Sequence, residues 1–206
     1  VQRLVDLFRR LARPASKSVI GLAGELYVIS WSDNPATTVR SWRSADDERF
    51  DFAIEDVRLE VKASGNRVRA HSFSAEQCQP PPGTVGVLAS LFIEASGGGT
   101  SLMELIRTIE QKLAAQEELI LKVQETVAET LGETLPGALT MRFDGNLARA
   151  SLQFYDLGVI PAIRSGVPPE VTQLRFRSDL SRTPPIIAAD LATRSAYLSA
   201  LLPQFR

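Results

Sequence analysis

Residues 50–62 read FDFAIEDVRLEVK, and apolar residues alternate with charged residues through the second half of this stretch. Alternation with a period of two is typical of a β-strand that buries one face. Leu59 and Val61 are expected on the buried face. Glu60 and Lys62 then share the opposite face, where a carboxylate and an ammonium lie close together.

A two-residue turn at 55–56 folds the same stretch into a predicted β-hairpin. The turn pairs Phe52 with Leu59, and this register brings the apolar side chains of both strands to one face. It also sets Asp51 directly opposite Glu60, with Cβ atoms roughly 4.5–5.5 Å apart. The hairpin therefore predicts a pair of carboxylates with a lysine two residues away.

The carboxylate pair is the first candidate for a functional site. Like charges repel, and a Mg²⁺ ion between Asp51 and Glu60 would reverse that repulsion because hard cations bind carboxylate oxygens. Lys62 would then stabilise charge on a phosphate or orient a nucleophilic water. The alternative is an exposed sheet face with ordinary solvated charges, since Glu-x-Lys is common by chance.

A second turn is indicated by Ser-Gly-Asn-Arg at residues 64–67. The chain is expected to return alongside the preceding strand, so that Lys62 faces Arg69. Glu60 then faces His71, the only histidine of the chain, which would support the acidic site. This position depends on the register, because a slip of one residue turns His71 to the other face.

Residues 16–31 predict a helix, with Ser16 or Ser18 as its N-cap. Apolar residues recur at helical spacing and mark a buried stripe, and Glu25 lies at the edge of that stripe. A carboxylate in such a position needs a partner. A helix packed on the sheet would bring Glu25 to the acidic pair. The alternative is a surface residue or an ordinary salt bridge.

In chain order these features resemble the PD-(D/E)XK nuclease superfamily. The matching segments are Gly21-Leu22-Ala23-Gly24-Glu25-Leu26, Trp42, Phe50-Asp51-Phe52 and Leu59-Glu60-Val61-Lys62-Ala63-Ser64. A bacterial branch of the superfamily, found near restriction and phage-defence genes, is similar in a further segment, Ser74-Ala75-Glu76-Gln77. The likeness departs from the superfamily name at one position, because Phe50 stands where the name has a proline.

The resemblance implies roles for individual residues. The implied catalytic set is Glu25, Asp51, Glu60 and Lys62. Asp51 and Glu60 resemble the metal ligands, and Glu25 resembles a helical carboxylate that assists metal binding. Lys62 resembles the catalytic lysine, and Gln77 resembles a supporting polar residue. Mg²⁺ is the implied cofactor, with Mn²⁺ as a substitute.

The resemblance also implies a fold and an activity. The expected fold is α/β (α+β), with a restriction-endonuclease-like core at residues 1–100 in which helices flank a central mixed β-sheet. Residues 101–206 are expected to form a C-terminal helical and β extension packed on that core. The implied activity is a Mg²⁺-dependent DNA endonuclease in restriction or phage defence, with a homodimer and other restriction or defence subunits as implied assemblies. The alternatives are a catalytically degenerate DNA-binding or assembly subunit with the same fold, and a protein-interaction domain.

The charge of the chain is distributed unevenly. The net charge of −1 argues against nonspecific coating of nucleic acid. Residues 1–73 nevertheless carry 12 Lys and Arg against 10 Asp and Glu. Basic residues near the acidic pair predict phosphate contacts with DNA. They are Arg43, Arg58, Arg67 and Arg69. The alternative for the N-terminal basic residues is a solvated helix.

The cysteine content and the apolar content of the chain indicate the environment in which the protein works. Cys78 is the only cysteine, so no internal disulfide can form, and with a single histidine a structural zinc site is not expected. The lack of a run of 18 apolar residues and of a signal-peptide pattern predicts a cytoplasmic protein without membrane contact. The chain begins with Val1 rather than Met, so whether residues precede it stays open.

The rest of the chain predicts further elements. Residues 85–95 are mostly apolar and predict a buried central strand. Residues 96–100 contain three glycines and predict a flexible loop, since no Lys-Ser/Thr follows to make a phosphate-binding loop. Beyond them we expect two helices over 102–131, strands over 140–143, 151–163 and 171–177, and a closing helix over 186–202.

Overall fold

The computed structural model describes residues 14–44, 49–114 and 116–203. Its strands are β1 (Phe52–Ile54), β2 (Val57–Ser64), β3 (Ala70–Ser74), β4 (Val85–Phe92), β5 (Ala95–Ser101), β6 (Arg142–Phe143), β7 (Gln153–Asp156) and β8 (Arg175–Asp179). Its helices are α1 (Val19–Trp31), α2 (Pro35–Ser41), α3 (Leu102–Leu113), α4 (Glu117–Leu131), α5 (Leu135–Ala138), α6 (Gly145–Ser151), α7 (Ala188–Arg194) and α8 (Ala196–Leu201). The basic residues that precede residue 14 lie outside this description.

The main sheet of the described residues has the strand order β1-β2-β4-β7. β1 and β2 are antiparallel, β2 and β4 are parallel, and β4 and β7 are antiparallel. Helix α1 packs against β2, and α6 packs against β4. This arrangement confirms the predicted α+β fold with a mixed sheet flanked by helices. Strand β7 joins that sheet from the second half of the chain, and the division at residue 100 stays a prediction.

The predicted hairpin is confirmed in its register. β1 and β2 pair Phe52 with Leu59, and they pair Ile54 with Val57 at the end of the hairpin. The turn therefore falls at residues 55–56, as expected. Phe52, Val57 and Leu59 are all fully buried, which is the burial that the alternating pattern predicts.

The predicted second hairpin is wrong. β2 is bordered on its other side by β4, and the two strands pair in parallel along their whole length. β4 is apolar and mostly buried, so it gains most from a central place in a sheet that is covered on both faces. Glu60 therefore pairs with a residue of β4 rather than with His71, and Lys62 does not pair with Arg69. β3 instead pairs with β8 in a separate two-stranded sheet.

Helix α1 is capped and closely packed. The Ser18 hydroxyl accepts a hydrogen bond from the Gly21 N–H at 3.1 Å, which confirms one of the two predicted caps. A Cβ placed on Gly24 would lie 2.9 Å from the Cβ of Ala63 in β2. A glycine at this position therefore lets the helix that carries Glu25 approach the strand that carries the Glu-x-Lys motif.

The glycine-rich segment at 96–100 was predicted as a loop, and this prediction is wrong. It belongs to β5, which pairs with β6 in a two-stranded sheet. A Cβ on Gly99 would lie 2.1 Å from the backbone oxygen of Phe143. The glycine thus permits a close backbone approach, and this tertiary contact overrides the low strand propensity of glycine.

The remaining elements agree with the sequence in part. The two helices expected over 102–131 are confirmed as α3 and α4, and Ser101 forms a capping box with Glu104. The strand expected over 151–163 is shorter than predicted. It is limited to β7 (Gln153–Asp156), and residue 151 belongs to α6. The closing helix is broken at Ser195, whose extended backbone separates α7 from α8. Within the described part of the chain, no helix combines the length and the apolar character needed to cross a membrane.

Candidate active site

Three buried carboxylates lie where α1 faces the first two strands of the main sheet. Glu25 lies on α1, Asp51 directly precedes β1, and Glu60 lies on β2. Their exposed fractions are 1%, 4% and 2%, respectively. Charges buried this deeply are costly unless cations or hydrogen-bond donors balance them, so the partners of each carboxylate define the site.

Glu60 is held through only one of its two oxygens. Its Oε1 accepts from the Lys62 ammonium and from Gln77 Nε2, each at 2.7 Å. Its Oε2 is buried and has no hydrogen-bond partner among the described residues. Burial, and then the nearby Asp51, raise the pKa of Glu60 from 4.5 to about 8. A buried carboxylate oxygen without a donor is an acceptor that a bound cation would satisfy.

Gln77 is fixed by the segment that follows β3. Its backbone N–H donates to the Ser74 hydroxyl at 3.3 Å, and its side-chain oxygen accepts from the Ser74 N–H at 3.1 Å. The Lys62 ammonium donates to the same side-chain oxygen at 3.4 Å. Gln77 therefore joins Lys62 and Glu60 in one network. This position suits the supporting role implied by the resemblance, and that role stays a prediction.

Asp51 has both of its oxygens occupied. Its Oδ2 accepts from the backbone N–H of Val61 at 2.9 Å, which ties the residue before β1 to β2. Its Oδ1 accepts from the ammonium of Lys17. The same ammonium lies 2.9 Å from Glu25 Oε1, so it bridges two carboxylates. Burial lowers the pKa of Lys17, but Asp51 and Glu25 outweigh burial and raise it above its ordinary value.

Glu25 is balanced by three neighbours. Besides Lys17, Trp42 Nε1 donates to Oε2 at 2.7 Å, and the Arg43 guanidinium donates to the same oxygen at 2.9 Å. Burial, and then the Asp51 charge, nevertheless raise the pKa of Glu25. Because neighbours occupy both of its oxygens, Glu25 is the centre of an ion-pair cluster. Its role as an assisting metal ligand stays a prediction.

His71 lines the same cleft as Glu60 and Lys62, although it is not their neighbour in a sheet. Its Nε2 lies 2.8 Å from the Ser90 hydroxyl. Burial, aided by the positive charges of Lys62 and Arg69, lowers the pKa of His71 to about 4. The ring is therefore neutral at neutral pH. Its supporting role at the acidic site stays a prediction.

Two of the four arginines predicted to contact DNA make internal contacts. Arg43 is bound to Glu25, as described above. Arg69 donates to the backbone oxygen of Ser90 at 2.8 Å, and its guanidinium lies 4.5 Å from the centre of the Phe92 ring. These contacts engage both guanidinium groups within the protein, and neither contact tests DNA binding.

The other two arginines predicted to contact DNA also make contacts within the protein. Arg67 has a side chain that is 63% exposed and forms an ion pair with Glu94 at 2.6 Å. Arg58 donates to the backbone oxygens of Glu55 and Val57, each at 2.8 Å. All four arginines therefore stay predictions as DNA contacts.

An open cleft of about 430 Å³ gives access to the site. This volume lies within the roughly 300–1,000 Å³ that is typical of ligand sites. Glu60 and Lys62 line the cleft, and Lys17 and Arg177 add positive charge to it. Neither cation was identified as a site residue from the sequence. The sequence around Arg177 does not indicate this position, because Arg177 reaches the cleft only through the pairing of β8 with the distant β3.

The donor set suits one divalent cation held by two carboxylates. No group of three or more Asp, Glu, His or Cys side chains that could hold a metal ion occurs in the ranges 14–44, 49–114 and 116–203. Mg²⁺, however, is commonly bound through one or two carboxylates, while water and substrate phosphate supply the other ligands. Asp51 and Glu60 fit that mode, because Glu60 Oε2 has no hydrogen-bond partner within these ranges.

Comparison with known protein families yields a match over most of the chain. Residues 1–181 match a family model described as "Putative PD-(D/E)XK family member, (DUF4420)". No curated protein and no solved structure matches the chain. The matched range contains the helix of Glu25, the hairpin of Asp51 and Glu60, and the segment that ends at Gln77.

Proposed function

Because the chain belongs to this PD-(D/E)XK family, we propose that it is a Mg²⁺-dependent endonuclease that hydrolyses phosphodiester bonds in DNA. The observation that carries the proposal is the Glu60 carboxylate. One of its oxygens is bound to Lys62, and the other is buried without a partner among the residues that the structure describes, at the wall of an open cleft. The resemblance to proteins encoded near restriction genes supports a place in restriction or phage defence.

The proposed mechanism assigns a task to each residue. Asp51 and Glu60 would hold the divalent ion, which when bound would acidify a water molecule and balance charge on the phosphate. Lys62, whose ammonium lies 2.7 Å from Glu60 Oε1, stabilises the negative charge that develops on the phosphate. Gln77 keeps the Glu60 carboxylate oriented through its hydrogen bond of 2.7 Å.

DNA is the proposed substrate because positive charges accompany the acidic centre of the cleft. Lys17 and Arg177 line the cleft together with Lys62. A few cations of this kind neutralise phosphates and give salt-dependent binding without a strongly basic chain. A homodimer would give each strand of a duplex its own site, and other restriction or defence subunits are proposed partners.

A second candidate is a catalytically degenerate DNA-binding or assembly subunit with the same fold. The observation that favours it is the internal charge balance of the site. Lys17 and Arg43 already neutralise Asp51 and Glu25 within the protein. Such a cluster can be retained for structure alone, because removal of one partner leaves an uncompensated buried charge.

Cleavage of supercoiled plasmid DNA with Mg²⁺ or Mn²⁺ distinguishes the two candidates. Wild-type protein is expected to nick the plasmid, and Lys62→Ala is expected to slow nicking by about 10²–10³-fold. Lys122→Ala is the matched control, because Lys122 donates to a backbone oxygen of α2 at 2.8 Å and does not line the cleft. It should cut at the wild-type rate.

Two other outcomes would count against an active nuclease. DNA binding by the wild type without cleavage under any divalent metal would favour the degenerate subunit. Nicking that persists unchanged in Lys62→Ala would indicate a contaminating enzyme or a different site. Thermal unfolding of each variant shows whether lost cleavage reflects lost folding.

A further inference from the structure

The Lys17 ammonium lies between two carboxylates of the site. It contacts Asp51 Oδ1, and it lies 2.9 Å from Glu25 Oε1. Asp51 is 4% exposed and Glu25 is 1% exposed, so water contributes little to the solvation of either charge. A cation between buried carboxylates has the position and the electrostatic role of a divalent metal ion.

Each oxygen of Asp51 already has one hydrogen-bond partner. The Val61 N–H donates to Oδ2 at 2.9 Å, and the Lys17 ammonium donates to Oδ1. Glu60 differs, because its Oε2 is buried without a hydrogen-bond partner in the described part of the chain. A divalent ion shared by Asp51 and Glu60 would therefore share the Asp51 carboxylate with the Lys17 ammonium. Two cations at one buried carboxylate would repel each other strongly.

Of the two cations bound to Glu25, Lys17 is the one that can move. Arg43 is also hydrogen-bonded to Thr130, and its guanidinium lies 5.4 Å from the centre of the Trp42 ring. The Lys17 side chain is 40% exposed and lines the open cleft. Its long apolar stem lets the ammonium turn into the cleft and remain in contact with water.

We propose that Lys17 is the counter-ion of the metal-free site and that its ammonium leaves Asp51 when a divalent cation binds there. The inference rests on the metal site proposed above. Lys17 keeps the acidic cluster folded without metal, and for the same reason it lowers the affinity of the site for metal. Once displaced, the ammonium faces the cleft, where it can pair with a phosphate of the nucleic acid.

Calorimetric titration with Mn²⁺ measures this competition directly. Lys17→Ala is expected to bind Mn²⁺ about tenfold more tightly than the wild type, which corresponds to the removal of one competing interaction. Without metal, Lys17→Ala is expected to unfold at a lower temperature than the wild type. Its metal-induced rise in Tm is expected to exceed that of the wild type. Lys17→Met retains the apolar stem and serves if the alanine variant does not fold.

Arg177→Ala is the control for a general effect of charge. Arg177 lines the same cleft and also carries one positive charge. Its removal is expected to change Mn²⁺ affinity by less than about twofold, because a solvated charge is screened. A second readout is the ¹³Cε resonance of Lys17, which is expected to move towards the value of a solvated lysine when Mg²⁺ is added.

Three outcomes would overturn the inference. Equal Mn²⁺ affinity in wild type and Lys17→Ala, with binding lost in Glu60→Gln, would remove the competition and leave the proposed metal site intact. An equal gain in Arg177→Ala would reduce the effect to general electrostatics. A failure of both the wild type and Lys17→Ala to bind Mn²⁺ would overturn the inference and the proposed function together.

Discussion

The Glu60 carboxyl should make the metal-free protein less stable as the pH rises. Burial, and then Asp51, raise its pKa from 4.5 to about 8. Between these values the folded protein keeps a proton that the unfolded chain has released, so the free energy of unfolding falls with increasing pH. His71 acts in the opposite direction, mostly below pH 6.5, because its pKa is lowered from 6.5 to about 4. In the unfolded chain His71 is still half protonated at pH 6.5, so it offsets a minor part of the change between pH 6.5 and 8.

The magnitude follows from the width of this window. A difference of one bound proton changes the free energy of unfolding by about 1.4 kcal/mol per pH unit. Because Glu60 is half ionised near pH 8, its contribution to the loss between pH 6.5 and 8 is on the order of 2 kcal/mol. Glu60→Gln keeps the shape of the side chain and removes its titration, so this variant should lose less stability over the same range. Glu25, whose pKa is also raised by burial, remains in both proteins.

Urea unfolding at pH 6.5 and pH 8, with EDTA present, measures the effect in both proteins. The other titrating groups are present in both proteins, so the difference between the two pH dependences reports on Glu60 and on its coupling to the neighbouring carboxylates. A wild-type loss no larger than that of Glu60→Gln would refute the reasoning. It would mean that Glu60 is ionised in the folded protein at pH 6.5, despite its burial.

Three further predictions concern the packing of α1, the hydrogen-bond network and the cleft. Gly24→Ala places a Cβ 2.9 Å from a β2 side chain and is expected to lower the free energy of unfolding by about 1–3 kcal/mol. Gly97→Ala is the control, because its Cβ would meet nothing within 4 Å. Equal urea midpoints for Gly24→Ala and Gly97→Ala would contradict the close packing of α1 on β2. Gln77→Ala removes one donor from the Glu60 carboxylate and is expected to lower the proposed cleavage rate more than DNA affinity. An unchanged single-turnover rate would count against its supporting role. Arg177→Ala is expected to weaken DNA binding and to reduce its salt dependence by roughly one phosphate contact. Arg107→Ala, on helix α3 and outside the lining of the cleft, should leave both unchanged.

The hairpin was predictable because its determinants are local. The alternating pattern specifies which face is buried, and the two-residue turn leaves one register that satisfies it. The pairing of Phe52 with Leu59 follows from these two facts. The serine caps of α1 and α3 are equally local, since each depends on residues within one helical turn.

The strand pairings between distant segments could not be predicted in the same way. Several strands could border β2, and the sequence favours the segment that follows it because neighbours in sequence often pair. The burial of apolar β4 instead favours its pairing with β2, and β3 pairs with β8. Strand β5 could not be predicted for the same reason. Its glycines disfavour a strand, and the strand depends on its pairing with the distant β6.

The carboxylates and the lysine of the candidate site were predicted from the sequence, but their internal partners were not. Motif spacing and resemblance indicated Glu25, Asp51, Glu60 and Lys62. The bridge from Lys17 depends on how α1 packs on the sheet, which no local pattern encodes. The same packing decides that Glu25 is surrounded by donors, whereas Glu60 keeps a buried oxygen without a partner in the described residues.

The central claim is that Asp51 and Glu60 hold a divalent ion, and anomalous diffraction from crystals grown with Mn²⁺ tests it most directly. We predict a manganese peak roughly 2.0–2.6 Å from one carboxylate oxygen of each residue. Lys17 should then be turned away from Asp51. At saturating Mn²⁺, a peak elsewhere on the protein with none between these two carboxylates would contradict the claim.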